Sequence, residues 1–250
     1  MTSRLPRPLA VALAAVTLAT GAQAAGEQAC TAANLAPVDR WLAKHPWKLG
    51  STGPEARVTA SCKVSSSDTN LVIVAAQYTQ GQEWDTNAII ALVDTRSRSV
   101  RAALQRVLFV DSGVGVNALR IDTARYDLAP RVRAFGIDQY QSAPHSAAAD
   151  NYSGTQRTLV VQEGPVLRPV LEYYLDTSHH GQGSTWTIAI GRKASHGFAD
   201  LVVTRTVDAA RDGAPVVHER SVLHYDGVSY GDGNPGALEQ VGPEPEPAVH

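Results

Sequence analysis

Residues 186–190, Trp-Thr-Ile-Ala-Ile, place Trp186, Ile188 and Ile190 on one face of an extended strand. Leu223 and Tyr225 repeat that pattern inward, with His218, Arg220, His224 and Asp226 on the opposite side. Working outward from these two stretches, runs rich in Val, Ile, Leu, Thr and Tyr recur between clusters of Gly, Pro, Asp, Asn and Ser. They predict strands at 57–64, 70–79 (NLVIVAAQYT), 87–94, 100–110, 116–122, 131–140, 157–162, 167–175, 185–191, 199–207 and 216–226. Residues 100–108 (VRAALQRVL) also fit a helical stripe through Val100, Leu104, Val107 and Leu108, so that stretch stays ambiguous. The RDGAP turn at 211–215 makes 199–226 a hairpin.

So many strands on short turns leave little room for crossover helices. The expected class is all-β, mainly an antiparallel meander, with one N-terminal helix. Sandwich, barrel and partial propeller all stay open, although no exact repeat at a fixed period favours the propeller. The helix is expected at 32–44, where Leu35, Val38, Trp41 and Leu42 recur at three- and four-residue spacing. Asn34 is a candidate cap, Pro37 falls early in the first turn, and Pro46 ends the element.

The composition is that of a globular protein: 250 residues, 44% apolar and 18% charged. With 22 basic against 24 acidic side chains, nothing favours nucleic acid as a partner. Residues 1–25 read as a secretory signal peptide. Arg4 and Arg7 precede the apolar run LAVALAAVTLA (9–19), and AQA (22–24) supplies the small residues of a cleavage site. That run is shorter than the ~20 residues a membrane-spanning helix needs, so no integral span is expected in the mature chain. A single β-rich domain is expected over 26–232. A Pro- and Glu-rich tail follows at 233–250, with a composition that does not fold.

Cys30 and Cys62 are the two cysteines of the chain, and in an oxidising compartment such a pair joins. Neither a four-ligand zinc site nor a two-residue redox spacing is available to them.

Several catalytic motifs fail their own context. GVSYG (227–231) has the letters of a nucleophile elbow, but a Gly- and Pro-rich tail follows Ser229 where a helix should stand. His179 and His180 are adjacent, so on a strand they face opposite ways and make poor joint metal ligands. DGVSYGDGN (226–234) lacks the ligand spacing of a calcium loop, and SGVGV (112–116) lacks the Lys and third Gly of a phosphate loop. No cofactor and no metal are expected.

Four stretches, LAPRVRAFG (128–136), TLVVQEGPVLRPVL (158–171), HGFADLVV (196–203) and LHYDGVSY (223–230), resemble uncharacterised secreted β-rich proteins of Gram-negative bacteria. GFADLVV and YDG are also similar to phrases in integrin-type propeller repeats, whose Asp-x-Asp-Gly calcium signature this chain lacks. The resemblance implies a secreted compartment and a β fold, and carries over no functional residue.

The leading expectation is therefore an exported, non-enzymatic binding protein of the bacterial envelope with a protein or glycan partner, periplasmic or secreted. The alternative is a secreted hydrolase whose site assembles from His179, His180, His196 and Asp176. A ligand site is expected on the two longest polar interruptions, 141–154 (QSAPHSAAADNYSG) and 177–184 (TSHHGQGS). His145, Asn151, Tyr152, His179, His180 and Trp186 are its candidate residues.

Overall fold

A computed structural model describes residues 28–47, 56–79, 86–108, 115–143, 152–179, 182–208 and 216–231. The signal segment, the C-terminal tail, His145, Asn151 and His180 lie outside the described residues. In chain order the elements are β1 (Gln28–Ala29), α1 (Ala32–Lys44), β2 (Ala56–Val64), β3 (Leu71–Thr79), β4 (Thr86–Asp94), β5 (Ser99–Leu108), β6 (Gly115–Ala129), β7 (Val132–Ser142), β8 (Ser153–Glu163), β9 (Val166–His179), β10 (Gln182–Ser195), β11 (Phe198–Val207) and β12 (Val217–Leu223). The protein is all-β with one N-terminal helix, and its pairing is antiparallel except for one contact.

The helix begins one turn earlier in its capping than the sequence suggests. Thr31, not Asn34, is the cap: its Oγ1 accepts from the Asn34 N–H at 3.3 Å. Pro37 is the sixth helical residue, past the first turn, so the Ala33 carbonyl receives no bond from it. Burial of Pro37 and Val38 against the sheet offsets that loss. Val38 packs with Cys62, Val74, Ala76, Ile89, Ala91 and Ala103, so α1 covers one face of β2–β5. A Cys30–Cys62 disulfide with a Cα–Cα distance of 5.0 Å ties the start of this helix to β2.

The ambiguous stretch 100–108 is a strand. Ala102 and Leu108 enter the core on one side of β5, and Ala103 enters the core under α1 on the other. A helix would have spent one apolar stripe, whereas the strand buries both faces. β4 is buried from Thr86 to Val93 for the same reason.

The antiparallel meander is broken once. β2–β5 form one meander and β6–β12 another, and they meet where Ala103 of β5 pairs in parallel with Val166 of β9. Beyond that bridge the Arg106 guanidinium spans the gap, 2.7 Å from Glu172 and 2.9 Å from Thr158 Oγ1. On the far side no ladder joins β6 to β2. Instead Ser61, Lys63 and Gln77 donate to the β6 carbonyls of Leu119, Ile121 and Val116 at 2.7, 3.1 and 3.1 Å. The sheet therefore does not close into a barrel.

Alternation along β6–β8 separates two cores. Leu119, Ile121, Phe135, Ile137 and Val160 point toward β2–β5. Leu128, Ala134, Leu159 and Val161 point the other way, where Trp186, Leu201, Val203, Tyr225 and Tyr230 of the β10–β12 end meet them. The helix, β2–β5, β6–β9 and β10–β12 are thus successive layers, with 199–226 the expected hairpin pairing Leu201–Val207 against Val217–Leu223.

Candidate functional site

On β6 and β7 the residues between the inward apolar ones are polar. Leu119, Ile121 and Ile137 are core, so Ala118, Arg120, Asp138 and Tyr140 stand on the opposite face. Register then gathers them: Ala118 opposes Tyr140, Arg120 opposes Asp138, Tyr140 opposes Thr155, and Thr155 opposes Asp176 of β9. With Leu175 they line an open groove of about 420 Å³. Tyr140 is 42% exposed there, a large aromatic surface left in solvent.

One side of this groove is locked by Arg157, which opposes Asp138 across the β7–β8 ladder and so shares its face. Its Nε and one terminal nitrogen grip the two Asp138 oxygens at 2.5 and 2.6 Å. Its other terminal nitrogen lies 2.6 Å from the Tyr126 hydroxyl and 2.5 Å from Asp122 Oδ2. The Tyr126 hydroxyl donates to the same Asp122 oxygen at 2.9 Å. Burial works against the guanidinium charge, but the bonds and charge of Asp138 outweigh it and raise the Arg157 pKa. Burial also pushes the Tyr126 and Tyr173 phenols up, so both stay protonated. Gly136 makes this reach possible: a Cβ there would sit 3.1 Å from Arg157 Cδ and Nε and 3.2 Å from Asp122 Cβ. Asp138 is consequently held as an ion-pair partner with both oxygens occupied, not as a free base.

The candidate residues from the polar loops fall in three places. Tyr152 is half-buried at the foot of β8, its carbonyl accepting from Ala143 N at 3.0 Å. His179 ends β9, opposite Gln182, and Ser178 pairs with Ser153. Both therefore stand at the end of the sheet that carries Tyr140, Thr155 and Asp176. Trp186 is only 3% exposed and belongs to the core, tilted on Tyr174 at 6.2 Å with the Arg205 guanidinium 5.3 Å from its ring. The loop polarity did not point to Arg120, Asp138, Tyr140 or Thr155. The signal for them is the polar half of the strand alternation.

The motifs for hydrolysis are built as structure. Ser195 Oγ donates to Asp200 Oδ1 at 2.7 Å and lies 3.3 Å from His224 Nδ1, which is itself 3.1 Å from Asp200 Oδ2. Serine and carboxylate address the same ring nitrogen, whereas a nucleophile relay needs them on opposite ones. The Ser195 bond, then His224, hold the Asp200 carboxyl below its ordinary range against the effect of burial. His196, in the left-handed region at φ 48°, is 2.9 Å from the Tyr225 carbonyl through Nδ1 and takes no part with Asp176. Ser229 sits in a turn, where Asp226 Oδ1 accepts from the Val228 and Ser229 N–H groups at 2.7 Å each. Among the described residues no group of three His, Cys, Asp or Glu is placed to hold a metal ion, and no helix is long and apolar enough to cross a membrane.

No protein-family model, curated protein or solved structure matches the chain.

Proposed function

We propose that this chain is an exported, non-enzymatic binding protein of the bacterial envelope, and that the Arg120–Tyr140–Asp176 groove receives part of a glycan or protein partner. One observation carries the reading. Tyr140 stands exposed beside a cluster whose buried charges already satisfy one another, which offers stacking surface and free hydrogen-bonding groups on a preorganised base. Three carboxylates (Asp122, Asp138, Asp176) against two guanidiniums (Arg120, Arg157) leave the surface mildly acidic, suited to hydroxyl-rich or cationic groups. Export is supported by the tripartite stretch 1–25, and the Cys30–Cys62 bond fits an oxidising compartment.

The test uses the mature chain with two probes, purified peptidoglycan sacculi and a photo-cross-linking residue placed at position 118 in cells. Saturable co-sedimentation, or one cross-linked envelope protein, is expected. Either signal should fall at least tenfold in Tyr140→Ala and Arg120→Ala, with melting temperatures unchanged. Binding that both variants leave intact refutes the groove. Release of soluble sugar from the sacculi makes the protein the secreted hydrolase instead.

A further inference from the structure

A second cleft, of about 500 Å³, opens between the β2–β3 turn and the β6–β7 turn, lined by Ser66, Ser67, Asp127, Arg131 and Arg133 among others. It lies at the other end of β6 from the Tyr140 groove and does not depend on the function proposed for that groove.

Its chemistry is cationic. Arg125 and Arg133 both bind Asp127, each through Nε at 2.7 Å and each on a different carboxylate oxygen. Asp127 is thereby fully used, and its carboxyl is held low by Arg133 and then Arg125. Each of the two guanidiniums still has its terminal amino groups for another acceptor. Arg131 adds a third positive charge and makes no ion pair among the described residues. Two guanidiniums therefore hold the one carboxylate, and Arg131 and Arg133 line the cleft with the exposed Ser66 and Ser67.

The backbone adds an independent observation. Pro130 and Arg131 are the two turn residues between the paired Ala129 and Val132, and Arg131 has φ 66°. Proline followed by a left-handed residue is a type II turn, whose second position ordinarily belongs to Gly or Asn. A long, β-carbon-bearing cation stands where glycine would cost nothing, which points to use of the side chain itself.

We infer that this cleft binds a phosphate group, gripped by the Arg131 and Arg133 forks and the Ser66 hydroxyl, with Ser67 already bonded to Ser65 at 2.9 Å. A free phosphate ester and a phospholipid headgroup present the same oxyanion, and the experiment separates them. The mature chain is titrated with inorganic phosphate by calorimetry and sedimented with phosphatidylglycerol vesicles, with phosphatidylcholine vesicles as the reference. Binding to phosphate alone assigns a soluble ligand; selective binding to phosphatidylglycerol assigns a headgroup. Absence of both overturns the inference. The decisive variant is Arg131→Gly, which relieves the left-handed strain and so keeps or raises the melting temperature while losing about tenfold or more in affinity. Wild-type affinity in Arg131→Gly also overturns it, because the residue would then serve only the turn. Arg131→Lys, which keeps the charge but not the fork, should fall between the two.

Discussion

Replacing Arg157 by Met removes the cation that is ion-paired to both Asp122 and Asp138 beside the groove. The side-chain exposures are 12% for Arg157, 15% for Asp138 and 21% for Asp122, which puts the cluster in the buried regime and not the surface one. Breaking such a cluster from one side strands uncompensated carboxylates and costs about 3–5 kcal/mol. For a chain of this length that corresponds to a fall in melting temperature of roughly 6–20 °C. Urea unfolding at pH 7 and thermal melting followed by circular dichroism read both quantities. The triple variant Arg157→Met, Asp122→Asn, Asp138→Asn, with no charge left to strand, should regain most of the loss at pH 7. A cost of Arg157→Met below about 1 kcal/mol, or a triple variant no more stable than Arg157→Met, would show that water already screens these groups and that the cluster is not locked.

Two further outcomes can be measured. On the proposed export, the protein recovered from cells should have the mass of a chain cleaved after Ala24 or Ala25 with no free thiol, and Cys30→Ser with Cys62→Ser should cost ~3–4 kcal/mol for the loop of about 33 residues. Asp200 titrates below its unfolded value, so its contribution is present above that value and is lost as pH falls through the folded one. Wild-type stability should accordingly drop more steeply than that of Asp200→Asn below about pH 4, in urea melts at stepped pH.

The fold was legible wherever one local period decided it. The helix at 32–44 agrees to the residue because the Pro46 stop and the Leu35–Leu42 stripe act within a few positions. The strand period failed to show the full length of β6, predicted to stop at 122 and observed to run to Ala129. Its far half, with Thr123, Arg125 and Asp127, looks like loop in composition. Pairing with β7, the burial of Leu128 and the two arginines on Asp127 keep it extended. The parallel contact of β5 with β9 left no trace in the sequence, because a single bridged pair imposes no pattern on either strand. Residues 100–108 carried two valid periods, and only a second apolar layer under α1 could choose between them.

The candidate site was half legible, and the missing half has one cause. Loop polarity led to the ends of β8 and β9, where Tyr152 and His179 lie, and those ends border the groove. The same argument took in Trp186 as a candidate binding residue, although the alternation of 186–190 had already set Trp186, Ile188 and Ile190 together on an apolar face. Applied to β6 and β7, that alternation marks Arg120, Asp138 and Tyr140 as the face away from the core. What no single strand reveals is which charges meet. Arg157, opposite Asp138 in the register, reaches Asp122 diagonally past Gly136, and a side chain at 136 would crowd the guanidinium stem. A glycine inside a strand, opposite an aspartate on one neighbour and diagonal to an arginine on the other, is thus the sequence mark of this cluster. Reading it requires the pairing of three strands at once.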